Sequence, residues 1–336
     1  MVMYTIRETF PLDFTQRLHT RVWEKTCCVK MKMCTRRWLH AAVTSFPCIT
    51  INELAGKGRA VVALKDLGAG TTLHECVPMA HVLKTVDVDR CLECLAPLAR
   101  SKHGRHCSIT CVNAYTARGG AMLDRVDLSG LRALHEQQGR KFPLLIASML
   151  ASLLAEIKAS GRLPDSWAPL ELCFAELHDE AAAQTATEHA QLIESFCAAG
   201  LSNRATLELL LPLARYRRLL GAAQLNAFEL TLTQGAQVAA LLPGLASCFN
   251  HSCAPNVLMA SGVTSRVAFV AGEPIAAGDE LCISYVDLEQ SRAERQELLL
   301  HKYGFVCSCA RCTSEVMLED SRPRPVTIAC LRHAIR

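Results

Sequence analysis

The stretch Asn250-His251-Ser252-Cys253-Ala254-Pro255-Asn256 decides how this 336-residue chain is read. Two elements follow it in order: Gly278-Asp279-Glu280-Leu281 with Tyr285, then Cys307-x-Cys309-x-x-Cys312. All three fall within about one small-domain length. Each is weak alone. Asn-His in a loop is commonly a turn with a satisfied histidine, and a tyrosine on a strand is most often packing. Three thiols on one tight turn are more telling, because they lack only one ligand of a tetrahedral structural metal site.

A second thiol group lies upstream. Cys91-x-x-Cys94 and Cys107-x-x-x-Cys111 put four soft ligands on two tight loops, the pattern of a structural zinc site. Four unrelated core cysteines are the alternative, but the intervening residues 99–106 are polar and make a poor core. His103 and His106 stand close enough in sequence to replace a thiolate. The chain has 18 cysteines and no apolar leader of the secretory kind. That points to metal binding in a reducing compartment, not to disulfides.

The bulk numbers set limits. Half of the residues are apolar, which excludes wholesale disorder. The net charge of +4 is uneven, because residues 1–45 carry eight Lys/Arg and three acids. The rest of the chain is close to neutral, so no nucleic-acid partner is expected. The basic segment reads as an extension or, alternatively, as a mitochondrial presequence. The longest apolar run, Pro143 to Ala155, is shorter than a bilayer span and reads as a buried helix, so no membrane partner is expected.

Local patterns place the elements. Cys48 to Asn52 and Ala60 to Leu64 read as strands around a turn at Gly56-Lys57-Gly58, and Thr72 to Val77 as another. From Leu128 to about Leu225 the spacing turns helical, for example at Leu144, Leu145, Met149, Leu153 and Leu154. Short strands return at Arg266 to Val270 and at Glu280 to Tyr285. Ser291-x-x-Glu294 opens a helix through Leu300. A β fold interrupted by a metal module and about 100 helical residues is the result.

This order of modules resembles the SET-and-MYND protein lysine methyltransferases, over roughly residues 46–315. The resemblance implies an α+β fold, in which a β-rich SET domain is split by a zinc finger and a helical insert and is closed by a post-SET zinc knot. It divides the chain into a basic extension (1–45), the first part of the SET domain (46–90), a truncated MYND-like zinc module (91–120), the helical insert (121–225), the C-terminal SET core (226–288), the knot (289–315) and a tail (316–336). The family's finger holds two zincs. Here Cys91, Cys94, Cys107 and Cys111 match one ligand set, and the other set is missing. In the knot the resemblance supplies Cys253 as fourth ligand beside Cys307, Cys309 and Cys312. Two structural zinc ions are therefore expected.

The cofactor implied is S-adenosylmethionine. Asn250 and His251 match its binding pair, Asn226 a further contact, Phe305 an aromatic against the adenine, and Gly58 and Arg59 the glycine-rich turn around the methionine end. Ala60 departs from that turn's second glycine. If the position requires a positive φ, alanine strains it. Tyr285 matches the catalytic tyrosine, which also faces the cofactor, and Tyr303 a second tyrosine of the lysine channel. Such a channel suits the chemistry. In-line methyl transfer to an amine needs alignment and a neutral nucleophile, and apolar walls favour the neutral amine. The family often continues into a helical repeat domain over the substrate groove. This chain ends 24 residues after Cys312, so a more open groove is expected.

The expected activity is thus methyl transfer to a protein or peptide lysine, histone or not, by a monomer in the nucleus or cytoplasm. A catalytically inactive zinc scaffold that binds protein partners is the alternative.

Overall fold

The structure, a computed structural model, describes residues 47–83, 89–98, 100–138, 142–162, 182–242 and 244–320. The basic segment 1–45, Cys173 and residues 321–336 lie outside them.

Among the described residues, ten short strands form three small sheets. β1 (Ile49–Leu54) and β2 (Gly58–Ala63) make an antiparallel hairpin with Ile49 opposite Ala63. Its turn holds Gly56 at φ +74° and Gly58 at φ +73°, a left-handed conformation that favours glycine. Ala60 is not among the positive-φ residues and sits fully buried inside β2. The condition for strain at Ala60, a positive φ, is therefore not met, because that position is extended strand and its methyl fills core.

β10 (Glu280–Ile283) pairs with the other edge of β2. β7, only Asn250–His251, lies parallel to β10, with Asn250 opposite Cys282 and His251 opposite Ile283. The second sheet orders β3 (Thr72–Cys76), β9 (Val267–Ala271) and β8 (Val257–Ser261). The third orders β4 (Ala80–Leu83), β6 (Gln237–Leu241) and β5 (Ala227–Thr231).

The helical insert appears as helices Ser129–Gln138, Phe142–Ser160, Ala182–Ala198, Arg204–Leu210 and Leu213–Asn226. Phe142–Ser160 is long and apolar enough to cross a membrane by composition, but 61% of its most apolar window is buried inside the fold. It packs against helix Leu213–Asn226, helix Gly120–Leu123 and β4.

β6 joins insert and sheets into one body. Side chains alternate across a strand. Ala239 and Leu241 enter the helical core, while Val238 and Ala240 enter the β core with Val61, Phe249, Phe269 and Leu281. A strand covered on both faces reads as an unbroken apolar run, as Val238–Leu242 does.

A third, smaller cluster decides the chemistry. Cys253, Leu299, Cys307 and Cys312 are buried together, with Tyr285, Tyr303 and Phe305 packed against them. The helix Arg292–Tyr303 delivers the two later aromatics. Ser291 and Glu294 form its capping box, as the sequence pattern predicts. It runs three residues beyond the expected Leu300, and Gly304 at φ +74° ends it in the left-handed cap conformation.

Candidate metal centres and cofactor cavity

Eight sulfurs form two tetrads. The ligand atoms of Cys91, Cys94, Cys107 and Cys111 lie within 4.8 Å of one another, and so do those of Cys253, Cys307, Cys309 and Cys312. With Zn–S near 2.3 Å, tetrahedral geometry puts sulfurs about 3.8 Å apart. The Sγ separations match: Cys94–Cys107 is 3.6 Å and Cys107–Cys111 3.5 Å. In the second tetrad Cys253–Cys307 is 4.0 Å and Cys253–Cys312 3.5 Å. Both sets fit zinc. His103 and His106 are outside the first tetrad. They pair with each other as an isolated bridge, and the His106 ring packs on Tyr115 at 4.8 Å.

Next to the second tetrad opens a cavity of about 550 Å³. Asn250, His251, Glu280, Tyr285, Phe305 and Lys57 are among its walls. This volume is typical of small-ligand sites.

The short β7–β10 pairing aims Asn250 and His251 into it. Asn250 Nδ2 donates to the Arg59 carbonyl at 3.1 Å and to Glu280 Oε1 at 2.9 Å. Its Oδ1 is thereby oriented as an acceptor. Glu280 Oε2 takes Lys57 Nζ at 2.5 Å. That bond raises the Lys57 pKa, against partial burial, which lowers it. Asn256 completes the frame. Its Oδ1 accepts from the Cys282 N–H at 2.8 Å, and its Nδ2 donates to the Glu280 carbonyl at 2.9 Å.

His251 bridges cavity and tetrad. The Tyr285 backbone N–H donates to its Nδ1 at 3.0 Å, which leaves Nε2 as the protonated nitrogen, 3.2 Å from Cys253 Sγ. Burial, with Arg295 second, lowers its pKa to about 4, so it is neutral near pH 7.

The Tyr285 hydroxyl donates to the Phe249 carbonyl at 2.7 Å. Burial first and Tyr303 second push its pKa above the ordinary tyrosine value. Its phenolic oxygen keeps its lone pairs as acceptors at neutral pH. The Tyr303 ring lies 4.9 Å away. Burial, then Glu229, raises the Tyr303 pKa too. Cys282, another cavity wall, is held as a thiol by burial, its pKa pushed up to about 12.

The sequence-predicted residues are thus mostly gathered. Asn250, His251, Tyr285 and Phe305 line the cavity. Gly58 and Arg59 are not among its walls, although Gly56 and Lys57 of the same turn are. Arg59 bears on it through the carbonyl that Asn250 grips. Tyr303 stands behind Tyr285. Asn226 is not brought to this cavity, since its Nδ2 turns back to the Ala222 carbonyl at 2.8 Å, closing the last turn of its own helix.

Sequence reasoning missed Lys57 and Glu280 as site residues, although both sit inside motifs it quotes. It missed Arg295 altogether. A helical arginine in Arg292-Ala293-Glu294-Arg295-Gln296 looks solvated, yet this one is buried.

The cavity fits S-adenosylmethionine by donor set. Lys57 offers a cation and Asn250 Oδ1 an acceptor to an amino-acid end, and Phe305 offers a flat apolar face to a purine.

Residues 58–286 match the profile of the SET domain. Over 292 residues, 80% of the chain, it is 24% identical to histone-lysine N-methyltransferase ATXR4 of Arabidopsis thaliana, and covers 87% of that protein. It is 27% identical to N-lysine methyltransferase SMYD2 of Mus musculus across 78% of this chain and 59% of that one. A 75-residue stretch, 21% of this chain, is 43% identical to human protein-lysine N-trimethyltransferase SMYD5, of which it covers 18%. A crystal structure of the SET domain of LSMT bound to lysine and AdoHcy superposes with a TM-score of 0.41 at 14% identity, covering 83% of this chain and 57% of that one.

Proposed function

Because the chain belongs to the SET domain family, we propose that it is an S-adenosylmethionine-dependent methyltransferase acting on the ε-amine of a protein lysine. One observation supports this reading above the others. Asn250, His251, Tyr285 and Phe305 share one cavity, which Cys307 and Cys309 of a metal-fitting tetrad also line.

When bound, S-adenosylmethionine supplies an electrophilic methyl group. Lys57 and Asn250 Oδ1, both fixed by Glu280, would hold its amino-acid end. Phe305 would cover the purine. Tyr285 and Tyr303 wall the approach of the lysine. The Tyr285 oxygen, fixed by its bond to Phe249, would accept an N–H of the amine and so orient it for transfer. Two tyrosines and Cys282, all uncharged at neutral pH, favour the neutral amine over the ammonium. Histone and non-histone lysines both suit such a channel. Cysteine usage favours a reducing compartment, nucleus or cytoplasm. Imaging a fluorescent fusion with and without residues 1–45 tests the presequence alternative.

The test is calorimetric titration of S-adenosylmethionine into zinc-replete protein, beside Asn250→Ala. Micromolar binding lost in the variant upholds the cofactor site. No binding to intact, metal-loaded protein sinks the enzyme reading and leaves the scaffold.

A further inference from the structure

Arg295 has 1% of its surface exposed, and it is the largest fully buried side chain among the described residues. A buried guanidinium is costly unless paired. Its partners here are unusual. Nε points at Cys253 Sγ at 3.3 Å, and one terminal nitrogen lies 3.9 Å from Cys312 Sγ and 2.5 Å from Glu315 Oε2. The other donates to the Gln290 carbonyl at 2.7 Å. Cys253 Sγ also faces His251 Nε2, so one sulfur takes two N–H donors.

Four thiolates around a divalent ion carry a net charge of −2. One carboxylate, Glu315, competes for the guanidinium and is itself shared with Arg311. We propose that Arg295 is the built-in counter-ion of the knot's metal tetrathiolate, and that its N–H bond to Cys253 restrains metal loss. This rests on the zinc reading of the knot. Hydrogen bonds to ligating groups are known to change metal retention by about 10–100-fold.

The experiment follows metal release from the full chain into a chromogenic chelator, and records the sulfur-to-metal charge-transfer band of the cobalt-substituted protein. The finger tetrad is the internal reference, its phase assigned with Cys94→Ser. Arg295→Met should speed the knot phase at least about tenfold, leave the finger phase unchanged, and move the knot's band to lower energy. Glu315→Gln frees the guanidinium for sulfur and should do the reverse: slower release and a band at higher energy. An unchanged knot phase in folded Arg295→Met overturns the proposal. So does Glu315→Gln that releases metal as fast as Arg295→Met, since that makes the trio mere packing. Should Arg295→Met fail to fold, the direction of the Glu315→Gln band decides. A wild-type chain whose knot takes up no metal refutes the zinc reading itself.

Discussion

Tyr285→Phe removes one oxygen and little else. The ring stays, with its 5.4 Å neighbour His251 and its 4.9 Å neighbour Tyr303. Lost is the donor to the Phe249 carbonyl, on a residue 1% exposed. Leaving a buried carbonyl unpaired costs about 1–3 kcal/mol. At about 2–3 °C per kcal/mol for a chain of this size, the melting midpoint should fall by about 2–9 °C. Cofactor affinity should change by less than about threefold, because the cavity wall formed by the ring remains. Turnover should fall by about 10²–10³, the usual consequence of deleting one oriented polar group at a reacting centre. The assay has three parts: scanning fluorimetry, cofactor calorimetry, and initial rates with radiolabelled cofactor on a lysine acceptor first found by labelling a cell extract. A rate within about tenfold of wild type refutes the catalytic assignment. A rate loss matched by an equal loss of cofactor affinity shows instead that the hydroxyl only shapes the cavity.

The other expectations are simpler. Cys309→Ser should lower zinc content from two ions to one by elemental analysis, and should weaken cofactor binding too, because Cys307 and Cys309 wall the cavity; zinc lost only from the 91–111 module contradicts the knot assignment. Ala60→Gly should lower stability by about 1–2 kcal/mol in denaturant melts, from a deleted buried methyl and a looser strand, without improving cofactor affinity; tighter binding in the variant shows that the alanine does strain the turn. Burial first, and Arg118 second, depress the His81 pKa to about 4, while its Nε2 pairs with the Leu92 carbonyl at 3.1 Å. The unfolded chain therefore takes up this proton below about pH 6.5 and the folded chain does not, so stability drains away as pH falls from about 6.5 toward 4. His81→Gln should flatten the slope of melting temperature over that window; an unaltered slope removes His81 from the account.

Much of this molecule is legible in one dimension, wherever the physics is local. The glycines at 56 and 58 mark a turn because only they take positive φ cheaply, and the Ser291/Glu294 box starts a helix because its two bonds close within four residues. The thiol spacings 91/94, 107/111 and 307/309/312 are knuckles for the same reason. Other features are set by contacts far apart in sequence. No pattern within Val238–Leu242 says that alternate residues serve two different cores. Nothing around Asn226 shows that its amide is captured by the helix end behind it. Arg295 reads as a solvated helical charge until the knot folds over it from 17 residues downstream and 42 upstream. Sequence alone therefore determined the module order and the ligand inventory, because these rest on residue type and short spacing. Tertiary structure alone decided which carboxylate steadies Asn250 and where a buried cation sits. The first follows from the parallel pairing of β7 with β10, segments some thirty residues apart, and the second from contacts 42 residues upstream and 17 downstream, none of which a local preference encodes.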